Sequence, residues 1–178
     1  MNPMLSFWRN RSGAEAFEGC VAPHLERMWR LALRLQCDPT DAEDLVQELL
    51  ARAWRRRDAV LALDAPGPWL AKALYRLHVD RWRRRGVLDE AEPLDADDAL
   101  AVTDHAAERS ALASAAVADM LDAVDTLPES HRVPLLMHDA EGFTLEEISH
   151  ILNVPTGTLK SRLHRARTAV RKIVGDGT

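Results

Sequence analysis

Apolar residues recur at intervals of three and four along most of the chain, and this spacing predicts α-helices. In the first part, one such stripe is formed by Leu25, Met28, Trp29, Ala32 and Leu35. Apolar and polar residues alternate nowhere over a useful length, so no β-strand is predicted. The pattern therefore indicates an all-α protein.

Two further helices are expected in the first part of the chain. A break at residues 37–39 ends the first pattern, and we expect Thr40 and Glu43 to form a capping box that starts the second helix. A proline- and glycine-rich turn over residues 63–68 then precedes a helix over residues 69–85. The buried face of the second helix is predicted to consist of Ala42, Leu45, Val46, Leu49 and Ala53.

An acidic segment separates two helical blocks. Residues 87–106 contain Pro93, lack a clear apolar period and are rich in Asp and Glu. Such a composition is typical of a linker. We therefore expect two small helical domains, one over residues 15–86 and one over residues 107–175, joined by this acidic flexible linker.

The second block begins with an apolar stripe that includes Met120 and Val124, and Leu127-Pro128 ends it. A further helix is predicted over residues 129–139. A helix-turn-helix pattern follows. Thr144 and Glu147 are spaced as a capping box, and a short turn over residues 153–155 leads into the last helix. The predicted buried stripe of that helix is Leu159, Leu163, Ala166, Val170 and Ile173.

The last helix is strongly cationic, and no acidic residue occurs between Thr156 and Val174. In a helix-turn-helix the second helix enters the major groove of DNA, where Arg binds guanine edges and Lys or Ser binds phosphate. A solvated basic face is the alternative. The candidate DNA-contacting residues are Thr158, Lys160, Ser161, Arg162, His164, Arg165 and Arg167.

Charge is segregated along the chain, although the formal net charge is only −5. Bases outnumber acids before the linker, and the final arm over residues 156–174 carries six bases and no acid, an asymmetry that favours polyanion binding. Cys20 and Cys37 lack metal-ligand spacing, and no catalytic constellation emerges. We therefore expect neither an enzyme, nor a metal, nor a cofactor, nor a small-molecule substrate. The lack of a long apolar run predicts a cytoplasmic protein without direct membrane insertion.

Two motifs resemble the bacterial RNA polymerase sigma factors, most closely the extracytoplasmic-function group. "LPESHRVPLLMHDAEGFTLEEISHILNVPTGTLKSRLHRARTAVRK" is similar to their region four. "RLALRLQCDPTDAEDLVQELLARAWRR", with its "DAEDLVQE", and "PWLAKALYRLHVDRWRRR" are similar to region two. The resemblance implies a factor that binds core RNA polymerase and directs promoter recognition, strand opening and transcription initiation at a specific set of genes.

The resemblance also assigns roles to particular positions. The second helix is expected to bind the clamp helices of the polymerase largest subunit. The helix over residues 69–85 is expected to bind the minus-ten element, although Arg76 stands where the family usually has Asn. The expected polymerase-binding residues are Asp41, Asp44, Leu45, Gln47, Glu48 and Arg52. The expected minus-ten residues are Lys72, Tyr75, Arg76, Asp80, Arg81, Trp82, Arg83, Arg84 and Arg85.

Members of the group are often held inactive by an anti-sigma factor, so the resemblance adds such a protein to the candidate partners, beside core polymerase and promoter DNA. Two other readings stay open at this point. A self-sufficient helix-turn-helix regulator that binds an operator as a dimer would explain the C-terminal half of the chain, but neither "DAEDLVQE" nor the helix over residues 69–85. A sigma-like decoy would bind an inhibitory partner and support no transcription.

Overall fold

The computed structural model describes the backbone of residues 3–36, 38–84 and 115–176, and the side chains of residues 13–36, 38–84 and 120–175. The predicted linker, Arg85 and the start of the second block lie outside the described residues. No strand occurs in these three ranges, which confirms the all-α class. None of the described helices is long and apolar enough to cross a membrane.

The described chain forms two groups of helices. The first group contains α1 (Pro3–Gln36), α2 (Pro39–Arg55), α3 (Arg57–Leu61) and α4 (Pro66–Arg84). The second contains α5 (Ala115–Asp125), α6 (Glu129–Leu135), a π-helical turn (Leu136–Ala140), α7 (Leu145–Leu152) and α8 (Thr156–Asp176).

Helix α2 begins earlier than predicted, with Asp38 as its N-cap. The Asp38 carboxylate accepts a hydrogen bond from the Asp41 amide at 2.8 Å. Pro39 occupies the first turn, where its missing N–H costs nothing and its fixed φ suits a helix. The predicted capping box of Thr40 and Glu43 is therefore wrong, and the Glu43 carboxylate instead accepts from Gln47 Nε2 at 3.0 Å.

The helix-turn-helix pattern is confirmed in its local details. The Thr144 hydroxyl accepts from the Glu147 amide at 3.2 Å, and the Glu147 carboxylate accepts from the Thr144 amide at 2.8 Å. Asn153 ends α7 in the left-handed region, with φ 59°. Asn tolerates this conformation better than most residues, so the chain turns sharply into α8.

The π-helical turn follows α6 directly and sets the position of Glu141. The Glu141 amide donates to the carbonyl of Leu136, five residues earlier, at 3.0 Å. Gly142 comes next with φ 68°, a conformation that glycine adopts without strain. The predicted helix over residues 129–139 is thus an α-helix that widens in its last turn.

A single apolar core runs through both groups of helices. From the first group it contains Met28, Leu31, Leu45, Leu70 and Leu74, and from the second Val133, Met137, Phe143, Ile148 and Leu159. A smaller core lies within the second group and includes Val124, Leu127, Leu163 and Ala166. The two helical groups are therefore packed against each other.

Two residues of the predicted apolar stripes are exposed, and Leu25, Trp29, Val46 and Val170 are half-buried. Met120 is 46% exposed, because α5 turns Ala123 and Val124 inward instead. Ile173 is 45% exposed, because α8 extends past the residues that form the smaller core.

Candidate nucleic-acid interface

A cavity of about 550 Å³ lies between α2 and α4. Trp69 gives it an aromatic wall, and Glu48 is the one acid among its lining residues. Its cations are Arg52, Arg55, Arg56, Lys72 and Arg76. A concave basic surface beside an aromatic ring has the composition that binds single-stranded nucleic acid, since cations meet phosphate and the ring meets a base.

Glu48 fixes two of the surrounding arginines. Its carboxylate accepts from Arg52 Nη2 at 2.7 Å and from Arg81 Nη2 at 3.3 Å. Burial alone would raise the pKa of Glu48, but the hydrogen bonds and charges of the two arginines outweigh it and lower the pKa. Glu48 is therefore ionised at neutral pH and orients Arg52 at the cavity.

The opposite face of α4 is covered by the second group of helices. Tyr75 is 6% and Trp82 is 7% exposed, although the resemblance assigns both to minus-ten DNA binding. Their rings flank His78, whose centroid lies 6.2 Å from that of Tyr75 and 5.2 Å from that of Trp82. Burial is the main cause that raises the pKa of the Tyr75 hydroxyl, with the Glu129 charge adding to it. In this arrangement neither aromatic face is open to a base.

His78 links α4 to both α1 and α6. Its Nδ1 lies 2.9 Å from Gln36 Nε2, and its Nε2 lies 3.1 Å from Glu129 Oε1. Arg132 Nε donates to the other Glu129 oxygen at 3.0 Å. Burial would raise the pKa of the Glu129 carboxyl. The hydrogen bond from His78 and the charge of Arg132 outweigh this effect and lower the pKa from 4.5 to about 2.

Helix α8 presents a cationic outer face, as predicted. Most of its candidate residues are exposed, while Thr158 is half-buried. Arg162 is only 5% exposed, so it cannot reach DNA in this arrangement. Arg167 Nε donates to Asp139 Oδ2 at 2.9 Å, which raises the pKa of the guanidinium and lowers that of the carboxyl. The exposed residues are Lys160, Ser161, His164, Arg165 and Arg167.

The outer face of α2 is polar. Asp44 and Gln47 are exposed and Asp41 is half-buried. Leu45 is fully buried in the core, so the prediction that it contacts a partner does not fit its position. Its spacing placed it on the apolar face from the start, and only the resemblance had assigned it to an interface.

Comparisons with known proteins agree with this geometry. The family model described as Sigma-70 region 2 matches residues 20–87, and that described as Sigma-70, region 4 matches residues 118–170. The ECF RNA polymerase sigma factor SigL of Mycobacterium tuberculosis is 30% identical over 166 residues, which cover 90% of this chain and 92% of that protein. The chain belongs to the extracytoplasmic-function group of RNA polymerase sigma factors.

One further relative is longer than this chain, and a solved structure of similar length shares the fold. The ECF sigma factor SigE of Mycolicibacterium smegmatis is 36% identical over 91% of this chain, but the match spans only 63% of that protein. The sigma factor RpoE of Bartonella quintana, solved in complex with the anti-sigma factor NepR, has a similar fold, with a TM-score of 0.70 and 24% identity. The match covers 89% of this chain and 96% of RpoE. Sigma factors are non-catalytic transcription initiation factors, and they direct RNA polymerase to promoters.

Within this sigma factor, the structure brings together residues that the sequence analysis treated separately. Glu48 and Arg52, predicted for polymerase, line the same cavity as Lys72 and Arg76, predicted for DNA. The cavity lining also includes Arg55 and Arg56, the last residue of α2 and its C-cap, which the sequence did not predict as site residues. The run of three arginines at residues 55–57 was the available signal. Asp80, Arg83 and Arg84 are exposed on α4 outside the cavity lining.

Proposed function

We propose that this sigma factor holds the melted minus-ten strand in the α2–α4 cavity. The observation that supports this is the clustering of five cations and Trp69 around one concave surface. Trp69 is half-buried, so its inner edge is held by the core while part of the ring remains available for stacking. Arg76 adds a phosphate-binding charge where the family usually carries an amide.

The two other surfaces take separate tasks under the same proposal. The outer face of α2, with Asp41, Asp44 and Gln47, binds the clamp helices of core RNA polymerase, whose basic character suits this face. The exposed face of α8 enters the major groove of the minus-thirty-five element. Each DNA-binding surface alone binds DNA weakly. A polymerase that holds both surfaces raises the effective concentration of the second DNA contact, and the overall affinity rises with it. The acidic linker of residues 87–106 joins the two domains.

The cavity assignment is tested by changing one charge. Arg76→Gln removes a cation that lines the cavity, whereas Arg57→Gln removes a nearby arginine outside the lining. With holoenzyme and a promoter fragment single-stranded at the minus-ten element, we expect Arg76→Gln to weaken binding about three- to tenfold and to lower its salt dependence. Fluorescence anisotropy at several salt concentrations measures both. Equal losses of affinity for Arg76→Gln and Arg57→Gln would contradict the proposal that the strand binds in the cavity.

A pulldown with core polymerase tests the wider assignment. Under the proposal the chain binds core enzyme and, alone, binds duplex promoter weakly. An operator-binding regulator would do the opposite in a gel shift of the isolated protein. Run-off transcription on genomic fragments then identifies the promoters used.

A further inference from the structure

The π-helical turn places two acids against different helices. Glu141, which follows the turn, accepts hydrogen bonds from Arg34 Nε at 2.9 Å and from Arg30 Nε at 3.2 Å, both on α1. Asp139, inside the turn, pairs with Arg167 of α8 instead. This second pair lies on the cationic face of the helix that is proposed to enter the major groove. Because DNA repels an acid, Asp139 bears on how α8 binds DNA.

Asp139 holds the Arg167 guanidinium by two parallel hydrogen bonds. Arg167 Nε donates to Asp139 Oδ2 at 2.9 Å, and Arg167 Nη2 donates to Asp139 Oδ1. The His138 Nδ1 lies 2.7 Å from the same Oδ1, and this nitrogen carries the hydrogen because an ionised carboxylate only accepts. A bidentate pair fixes the direction of a guanidinium as well as its place. We call Asp139 and Arg167 the rim pair.

The rim pair leaves Arg167 able to bind a further acceptor. An arginine side chain has five N–H donors, and Asp139 accepts two of them, so both on Nη1 and one on Nη2 remain. The Arg167 side chain is 45% exposed, so an acceptor from outside can reach these donors.

The position of Arg167 along α8 indicates that this acceptor is a phosphate. Helix α8 begins at Thr156, and Arg167 lies eleven residues further on, roughly 16 Å along the helix axis. The N-terminal residues of a recognition helix contact the base edges, and the major groove is about 12 Å wide. Arg167 therefore lies at the rim of the groove, where the sugar–phosphate backbone runs.

The rim pair acts differently at long and at short range. Beyond about 10 Å, the screening length at 0.1 M salt, the charges of Asp139 and Arg167 cancel, so the pair adds little to the general attraction between α8 and DNA. In contact, its fixed donors bind a phosphate only where they point. An unpaired arginine would move on its long side chain and find a phosphate in almost any register. A held arginine favours the aligned complex, because phosphate contacts set the register of a protein on the duplex.

We propose that Asp139 is a positioning residue that makes upstream-element binding more specific. It holds Arg167 for one phosphate of the aligned minus-thirty-five duplex and withholds the charge of Arg167 from other DNA. Removal of Asp139 frees this charge, and misaligned complexes gain more affinity than the aligned one. The inference rests on the proposed entry of α8 into the major groove.

Binding to two duplexes tests the inference. One short labelled duplex carries the upstream element of a promoter found by run-off transcription, and the other has the same bases in shuffled order. Holoenzyme with Asp139→Asn should bind the shuffled duplex about three- to tenfold more tightly than unchanged holoenzyme, with a salt dependence steeper by about one phosphate contact. Its affinity for the upstream element should rise less than about twofold. Fluorescence anisotropy at several salt concentrations measures both affinities.

Two controls separate positioning from a plain change of charge. Glu146→Gln removes an exposed acid from α7, the other helix of the helix-turn-helix, and should change both affinities by the same factor, less than about twofold. In a chain that carries Arg167→Gln, Asp139→Asn should do no more than Glu146→Gln, because no guanidinium is left to release. If Asp139→Asn loses helical circular dichroism, Arg167→Lys takes its place. Lysine keeps the charge but cannot form two parallel hydrogen bonds, so the difference between the two duplexes should narrow in the same way.

The outcomes distinguish this inference from the proposed function. Asp139→Asn overturns the inference if it strengthens binding to both duplexes equally, if it weakens binding to the shuffled duplex, or if its gain persists beside Arg167→Gln. If unchanged holoenzyme does not distinguish the two duplexes, the proposed role of α8 fails, and the inference fails with it. If unchanged holoenzyme distinguishes them and Asp139→Asn behaves as Glu146→Gln does, only the inference fails.

Discussion

Asp38 provides a partner for an amide at the start of α2 that would otherwise have none within the helix. The Asp38 carboxylate accepts a hydrogen bond from the Asp41 amide at 2.8 Å, and the third residue of a helix is a usual donor to an N-cap side chain. Thr40 lies inside the first turn, beyond the position from which a side chain caps a helix. Thr40 was the predicted cap, but Pro39 suits the first turn of a helix, and the residue before it, Asp38, is the N-cap.

Substitution of the two residues should therefore have unequal effects. We expect Asp38→Ala to lower the free energy of unfolding by about 1 kcal/mol, because the Asp41 amide loses its partner. Thr40→Ala should change it by less than about 0.5 kcal/mol. Urea unfolding followed by circular dichroism measures both. A larger loss of stability from Thr40→Ala than from Asp38→Ala would show that Thr40 caps the helix, as the sequence predicts.

Helix α8 shows what periodicity can and cannot predict. Its buried stripe is confirmed at Leu159, Leu163 and Ala166, which follow one another at intervals of four and three. Arg162 is also buried, and no local pattern indicates this, since the covering surface belongs to helices far away in the chain. The cationic face is therefore narrower than the sequence predicts.

The exposed and buried arginines of α8 should respond differently to truncation. We expect Arg165→Ala to weaken binding of holoenzyme to the minus-thirty-five element by about 1–3 kcal/mol, with little change in stability. Arg162→Ala should lower the free energy of unfolding by more than about 1 kcal/mol, because it disrupts a buried contact. Gel shifts and thermal unfolding separate the two effects. Arg171→Ala, an exposed change nearer the end of α8, serves as the control.

At the scale of the whole molecule, the sequence predicts the helices but not how the two groups of helices pack against each other. Each helix has its own apolar period and end signals, and these are short-range features. Arg34 and Glu141 are separated by 107 residues, and nothing in either neighbourhood marks the other as its partner. The two-domain helical fold was accessible from sequence, whereas the covering of Tyr75 and Trp82 required the tertiary arrangement.

Low pH should weaken the contact between the two groups of helices, because it protonates Glu129, which contacts His78 of α4. The pKa of its carboxyl falls from 4.5 to about 2 in the folded chain, so its stabilisation is present above pH 4.5 and is lost as the pH falls from about 4.5 towards 2. The loss amounts to roughly 3–4 kcal/mol at most, since one pKa unit corresponds to about 1.4 kcal/mol. Urea titrations at several pH values should show a shallower acid dependence for Glu129→Gln than for the unchanged chain. Glu146→Gln should keep the full dependence.

The π-helical turn at Leu136–Ala140 makes this part of the chain sensitive to the deletion of a residue. Each residue of a helix advances the backbone by about 100° around its axis. Deletion of one residue from this turn would restore ordinary α-helical spacing. The carboxylate of Glu141 would then rotate by about 100° around the helix axis, away from α1. Relatives in which the carboxylate at this position contacts α1 in the same way should therefore tolerate exchanges of side chain in the turn far better than a shortened turn.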